Sequence, residues 1–132
     1  MASRRLAAIA AFCLSLSVSA EPLKEHLWKH RVIVTFSASK DTPERLVIIK
    51  QIEQHECQFS DRDLVHIDLI AGSNDYRLLS QRFSVSGTDF RLLLVGKDGG
   101  GKLSTGEPTL EPVFTLIDAM PMRERERLND KC

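Results

Sequence analysis

The chain has 132 residues, and its 18 basic and 18 acidic side chains give a formal net charge of zero. A neutral balance without a basic block gives no electrostatic reason to bind nucleic acid or an anionic membrane, so we expect neither as a partner. This length suits one domain with one modest hydrophobic core.

The first twenty residues have the layout of a cleavable secretory signal. Arg4 and Arg5 give a positive start, an apolar run extends from Leu6 to Leu16, and small residues precede Glu21. The run of about eleven residues is shorter than the roughly 20 that span a bilayer. We predict a signal peptide over residues 1–20 and an exported, periplasmic or secreted domain over residues 21–130. No membrane span should remain after cleavage.

A strand and a proline-started helix open the predicted domain. Arg31 to Phe36 is apolar on both faces, which is typical of a central strand covered by helices. Pro43 then suits a first helical turn, where its missing N–H costs nothing, and an apolar stripe continues to about His55. Ahead of the strand, we expect the indole of Trp28 to cap the edge of the core.

The middle of the chain alternates between strands and one short helix. Cys57 to Asp63 is predicted to be a polar connection, and Leu64 to Ile70 alternates apolar and polar residues as an edge strand does. A short helix is expected from Tyr76 to Phe83. Phe90 to Val95 is the most hydrophobic strand of the chain.

A glycine-rich turn and a final helix complete the order. Gly96 to Lys102 should form a hairpin turn with a bulge, leading to a short strand near Leu103. The turn has P-loop spacing, but the strand that follows lacks the helix a nucleotide site requires. The last helix opens near Pro112 and ends or kinks at Pro121, and residues 123–130 read as a solvated charged tail.

These elements predict an α/β fold: a thioredoxin-like βαβαββα three-layer sandwich with a mixed central sheet. A parallel βαβ start, a β-hairpin and a closing helix leave few other topologies once right-handed crossovers are required.

Four short motifs lie at residues 28–31, 61–64, 96–99 with Lys102, and 117–123. Together they resemble the family called domain of unknown function 4174, which is similar to the carboxyl-terminal domain of certain secreted sushi-repeat proteins of animals. The resemblance implies a thioredoxin-like or peroxiredoxin-like fold and no established activity. It therefore supplies motif residues of unknown role. These are Arg31, Arg62, Asp63, Gly96, Lys97, Asp98, Gly99, Lys102, Asp118, Met120, Pro121, Met122 and Arg123.

The loop after the first strand has no cysteine. The thioredoxin pair would fall within residues 37–40, and a peroxiredoxin-like alignment of the loop places the peroxidatic cysteine three residues after Thr42, at Arg45. A redox cysteine belongs at this helix start because the helix dipole and unpaired N–H groups stabilise a thiolate. We therefore predict no catalytic residue and no cofactor.

The two cysteines of the predicted mature chain, Cys57 and Cys132, leave two alternatives open. Cys57 lies fourteen residues past Pro43, about 21 Å along a helix from the expected redox site, so geometry disfavours catalysis. Because the first and last helices run side by side in this topology, a disulfide between Cys57 and Cys132 is the structural alternative.

Other polar groups give weaker patterns. His26 and His30 are four residues apart but have no third ligand at a recognisable spacing, so no metal site is predicted. Asp118 is expected to face a basic group such as Arg91 across the sheet and so fix the last helix.

We predict an exported thioredoxin-like binding or accessory module without redox chemistry, whose partner is an unidentified protein or small ligand. The alternative is a diverged thiol oxidoreductase or peroxiredoxin-like enzyme using Cys57.

Overall fold

The computed structural model describes residues 21–127 and Cys132. The predicted signal peptide, residues 1–20, and tail residues 128–131 lie outside the described residues. A 3₁₀ turn, Lys24–His26, precedes the first strand. The remaining elements are β1 (Arg31–Ser37), α1 (Pro43–Gln54), α2 (Glu56–Asp61), β2 (Leu64–Ile70), α3 (Asn74–Arg82), β3 (Arg91–Val95), β4 (Gly101–Thr105), α4 (Glu111–Asp118) and α5 (Pro121–Glu126).

The four strands form a mixed sheet in the order β2-β1-β3-β4, which confirms the predicted fold class. β1 pairs parallel with β2 and antiparallel with β3, and β3 pairs antiparallel with β4. β1 is therefore internal and β2 lies at an edge, as their apolar patterns predicted. No helix within the described ranges is long and apolar enough to cross a bilayer.

Side chains alternate between two cores on the two faces of the sheet. Ile33 packs with α1 and α4, in a cluster that includes Ile48, Val113 and Ile117. Val34 packs on the other face, in a cluster that includes Leu79 of α3. Because alternate side chains of the strands point to opposite faces of the sheet, both faces are apolar and both are covered by helices, which gives the three layers.

Two segments differ from their predictions. Residues 56–61 form α2, so the predicted polar connection is wrong: Phe59 is buried in the core and turns this segment into a helix against the sheet. The chain from Pro121 forms α5, and Arg123 is 1% exposed. The prediction of a solvated tail is therefore wrong at Arg123, whereas Glu124, Arg125 and Arg127 are exposed.

Candidate functional site

The start of α1, where thioredoxin-fold enzymes hold their nucleophile, is joined to β2 by an ion pair. Arg45 donates through Nε and Nη2 to the carboxylate of Asp68, at 2.6–3.1 Å. Its Nη1 donates to the carbonyl oxygen of Lys40 at 2.7 Å. The hydrogen bond that Arg45 donates to Asp68 is the largest cause of the raised pKa of Arg45, with burial acting in the opposite direction. The peroxidatic position thus holds a paired cation that has no nucleophilic lone pair at any working pH.

A buried polar contact lies beneath this ion pair. Thr35 is fully buried on β1, and its hydroxyl is hydrogen-bonded to His66 Nε2 at 2.8 Å. The same hydroxyl donates to Asp68 at 3.4 Å. Burial lowers the pKa of His66, so its imidazole stays neutral near pH 7. His66 is therefore a partly buried, hydrogen-bonded side chain of the sheet.

The other end of β1 carries a cavity of about 400 Å³, which we call the pole cavity. β1 has seven residues, so this cavity lies about 20 Å along the strand from the loop that leads to α1 and Arg45. Eight of the thirteen motif residues line it, together with Trp28. These eight are Arg31, Gly96, Lys97, Asp98, Lys102, Met120, Pro121 and Met122.

The floor of the pole cavity is a cluster of hydrogen-bonded charges. Arg31 is 1% exposed, and its Nη1 donates to Glu126 and to the carbonyl oxygen of Arg62, both at 2.9 Å. Lys97 Nζ donates to Asp63 at 2.8 Å and to Glu126 at 2.7 Å. Burial alone would raise the pKa of Glu126, but these two cations outweigh it and lower the pKa. Strand β1, the β3–β4 turn and α5 are thereby joined.

A second cluster attaches α5 to α2 and α4. Arg123 donates to Asp61 Oδ2 at 2.6 Å and to Asp118 at 3.3 Å. Arg62 donates through Nε and Nη2 to the two carboxylate oxygens of Asp118, at 2.9–3.0 Å. Burial favours a raised pKa for Asp118, but Arg62 and then Arg123 outweigh burial and lower it. Asp118 does face basic groups, but the choice of Arg91 is wrong: Arg62 at the end of α2 and Arg123 of α5 contact this carboxylate instead.

The glycine-rich segment is a hairpin turn with a bulge, as predicted, and β4 follows it directly. The amide of Gly99 donates to the carbonyl of Gly96 at 3.0 Å, and Gly99 has a φ of +82°. Asp98 accepts from the amide of Gly100 and from Lys102 Nζ, which lower its pKa in that order. A strand after the turn provides none of the helical N–H groups that a P-loop uses, so the nucleotide hypothesis loses its structural basis.

Trp28 forms the exposed rim of the pole cavity. It is 68% exposed, so the prediction that it caps the core edge is wrong. Its φ is +63°, a conformation that costs a bulky residue roughly 1–2 kcal/mol. A 2.8 Å hydrogen bond from the amide of Trp28 to the carbonyl of Lys97 holds it there. Strained backbone that holds a large apolar side chain in solvent is characteristic of binding sites.

The two cysteines of the predicted mature chain are joined in a disulfide, with 5.9 Å between their Cα atoms. Cys57 lies in the first turn of α2, whose last residue, Asp61, accepts from Arg123 of α5. The disulfide and the second charge cluster therefore both connect α2 to the end of the chain.

The remaining candidate ligands do not converge. His26 Nδ1 and His30 Nδ1 are 3.0 Å apart, and His26 lies 3.4 Å from Glu25. Across residues 21–127 and Cys132, no cluster of three or more histidine, cysteine or acidic side chains is arranged to hold a metal ion. A second cavity, of about 520 Å³, lies beside β2 and includes His30 and His66. None of the thirteen motif residues except Asp63 lines it.

The sheet order, the two helical layers and the loop after β1 define a thioredoxin-fold protein whose active-loop position holds an arginine. Two solved structures from Plasmodium yoelii share the fold: Prx1a modified at the N-terminus, with a TM-score of 0.58, and thioredoxin peroxidase I, with 0.59. Each is 13% identical to the chain and covers 83% of it, and the chain covers 83% and 82% of theirs. No curated protein matches the chain.

Residues 22–126 match the family described as domain of unknown function (DUF4174). The chain belongs to this family, which confirms the resemblance drawn from the motifs. The match includes all thirteen motif residues, and it ends at Glu126, whose carboxylate contacts two floor cations of the pole cavity.

Proposed function

We propose that the protein is an exported binding module that uses a thioredoxin-like fold without redox catalysis, and that it binds its partner at the pole cavity. The observation that carries the proposal is Arg45. It stands where the aligned peroxiredoxin loop has its nucleophile, and Asp68 holds it in a two-pronged ion pair. A guanidinium cannot attack a peroxide or a disulfide, so the loop has lost the group on which that chemistry depends.

Export is supported by two independent features. Residues 1–20 have the pattern of a secretory signal, and a structural disulfide such as that between Cys57 and Cys132 is typical of proteins in oxidising compartments. A fusion of the whole chain to alkaline phosphatase tests this. Activity on the periplasmic side, with cleavage after Ala20, is expected, and enzyme retained in the cytoplasm would contradict export.

The absence of redox catalysis is tested with the oxidised chain from Glu21 onward. We expect no hydrogen peroxide consumption with a dithiol reductant and no insulin reduction above the uncatalysed rate. A matched control is an active peroxiredoxin assayed at the same thiol concentration. Turnover that Cys57→Ser abolishes would refute the non-catalytic proposal.

That outcome would favour the second candidate, a diverged thiol oxidoreductase or peroxiredoxin-like enzyme using Cys57. The fold shared with the two Plasmodium yoelii proteins is the observation in its favour. Cys57 lies at the start of α2 rather than α1, and it is bonded to Cys132, so a dithiol would have to reduce this bond before Cys57 reacted.

A further inference from the structure

We propose that the pole cavity binds a small carboxylate that carries an apolar ring or chain. This inference deepens the proposed binding function by naming the chemical class of the ligand. The rim of the pole cavity is apolar and is formed by Trp28, Met120, Pro121 and Met122, whereas cationic side chains line the floor and one side. A ligand that satisfies both surfaces needs an apolar body and a negative end.

The cationic side contains a nearly buried amine with donor capacity. Lys97 is 9% exposed along its side chain, lines the cavity, and has three N–H donors. Asp63 and Glu126 accept two of them among the contacts of the described residues. The third can donate to a ligand oxygen. Buried charged donors form stronger hydrogen bonds than exposed ones because water competes less.

The charges around the site favour an anion on the cavity side. Arg31, Lys97 and Lys102 line the cavity with one carboxylate, Asp98. The two carboxylates that balance the floor, Asp63 of the α2–β2 connection and Glu126 of α5, are not among the lining residues. Lys102 is 35% exposed and contacts Asp98 from the i+4 position, so it can turn one of its other donors to a bound carboxylate.

The apolar side has room for a small ring. A volume of about 400 Å³ lies in the range of small-molecule sites and accommodates an aromatic ring with a short chain. Trp28 is the only tryptophan of the chain and stands exposed at the rim, where its indole can cover a ring. Its strained backbone is explained if this position serves the ligand.

The test is a titration with 3-phenylpropionate, monitored by Trp28 fluorescence and by calorimetry. Two matched probes accompany it: 3-phenylpropionamide has the ring without the charge, and acetate has the charge without the ring. A ligand of about eleven non-hydrogen atoms is expected to bind with a Kd between about 10 µM and a few millimolar. Both matched probes should bind at least about tenfold more weakly.

Variants of two residues that line the cavity locate the site. Lys102→Met and Trp28→Asn should each raise the Kd for 3-phenylpropionate about tenfold, and Asn tolerates the positive φ of this position. Lys50→Met makes the same change on the exposed face of α1 and should leave the Kd unchanged. Circular dichroism melts check that each variant is folded.

Three outcomes would overturn the proposal: no saturation with 3-phenylpropionate up to about 10 mM, equal affinity for 3-phenylpropionamide, or an unchanged Kd in both the Lys102 and the Trp28 variants. A failure here leaves the non-catalytic assignment standing, because that assignment is judged by peroxide and disulfide turnover alone.

Discussion

Substituting Arg123 by methionine should lower the free energy of unfolding by about 3 kcal/mol. The side chain is 1% exposed and donates to Asp61 Oδ2 at 2.6 Å, to the Asp61 carbonyl oxygen at 2.7 Å and to Asp118 at 3.3 Å. Removing one partner of a buried ion pair costs about 3–5 kcal/mol, because the remaining buried charge loses that interaction. The lower end applies here, since Arg62 still contacts Asp118.

Urea unfolding of the oxidised protein, followed by circular dichroism, measures this loss. For a domain of this size the melting temperature should fall by about 12 °C, at about 4 °C per kcal/mol. Arg91→Met is the matched control: it removes the arginine that the sequence suggested for Asp118, and it should change stability by less than about 0.5 kcal/mol. Equal losses for the two variants would refute the assignment of Asp118 to the α2 and α5 arginines.

Three further predictions concern the disulfide, acid and the glycine turn. Cys57→Ser, which opens a loop with a sequence separation of 75, should lower stability by about 4 kcal/mol in urea, and a loss below about 1 kcal/mol would contradict a formed disulfide. The pKa of Glu126 is lowered in the folded protein, so its contribution to the free energy of unfolding is present above the usual value of 4.5 and is lost as the pH falls through the lowered pKa. Glu126→Gln should therefore flatten the acid side of a curve of stability against pH. An unchanged slope would argue against the floor ion pairs. Gly99→Ala should lower the free energy of unfolding by about 1–2 kcal/mol because of its φ of +82°. The loss should exceed that of Gly87→Ala, because only the new Cβ at Gly99 would meet Leu27, at 2.9 Å. Equal melting temperatures for the two variants would count against that contact.

The fold was predictable because its strands carry strong local signals. The two-sided apolar run of β1, the alternation of β2 and the proline at the start of α1 each determine an element or its place in the sheet. The glycine turn indicated a bulged hairpin for the same reason: Gly99 adopts a positive φ.

The pole cavity was not predictable, because the residues that form it are far apart in sequence. Arg31 and Glu126 are 95 residues apart, and the charge pattern of residues 123–127 resembles a solvated tail until Arg123 is seen to be buried. Local patterns report exposure only as an average, so one buried arginine in a charged segment gives no signal. Asp61 and Glu126, which complete the two clusters, were missed for this reason.

The contact between Arg31 and Glu126 also sets when the proposed ligand site can first form. One partner belongs to the first strand and the other to the last described helix, so the floor of the cavity cannot assemble until the chain has emerged as far as Glu126. Contacts of such wide separation form late, after the local elements. A chain that crosses a membrane unfolded would therefore stay empty in transit, and occupancy would signal that folding is complete.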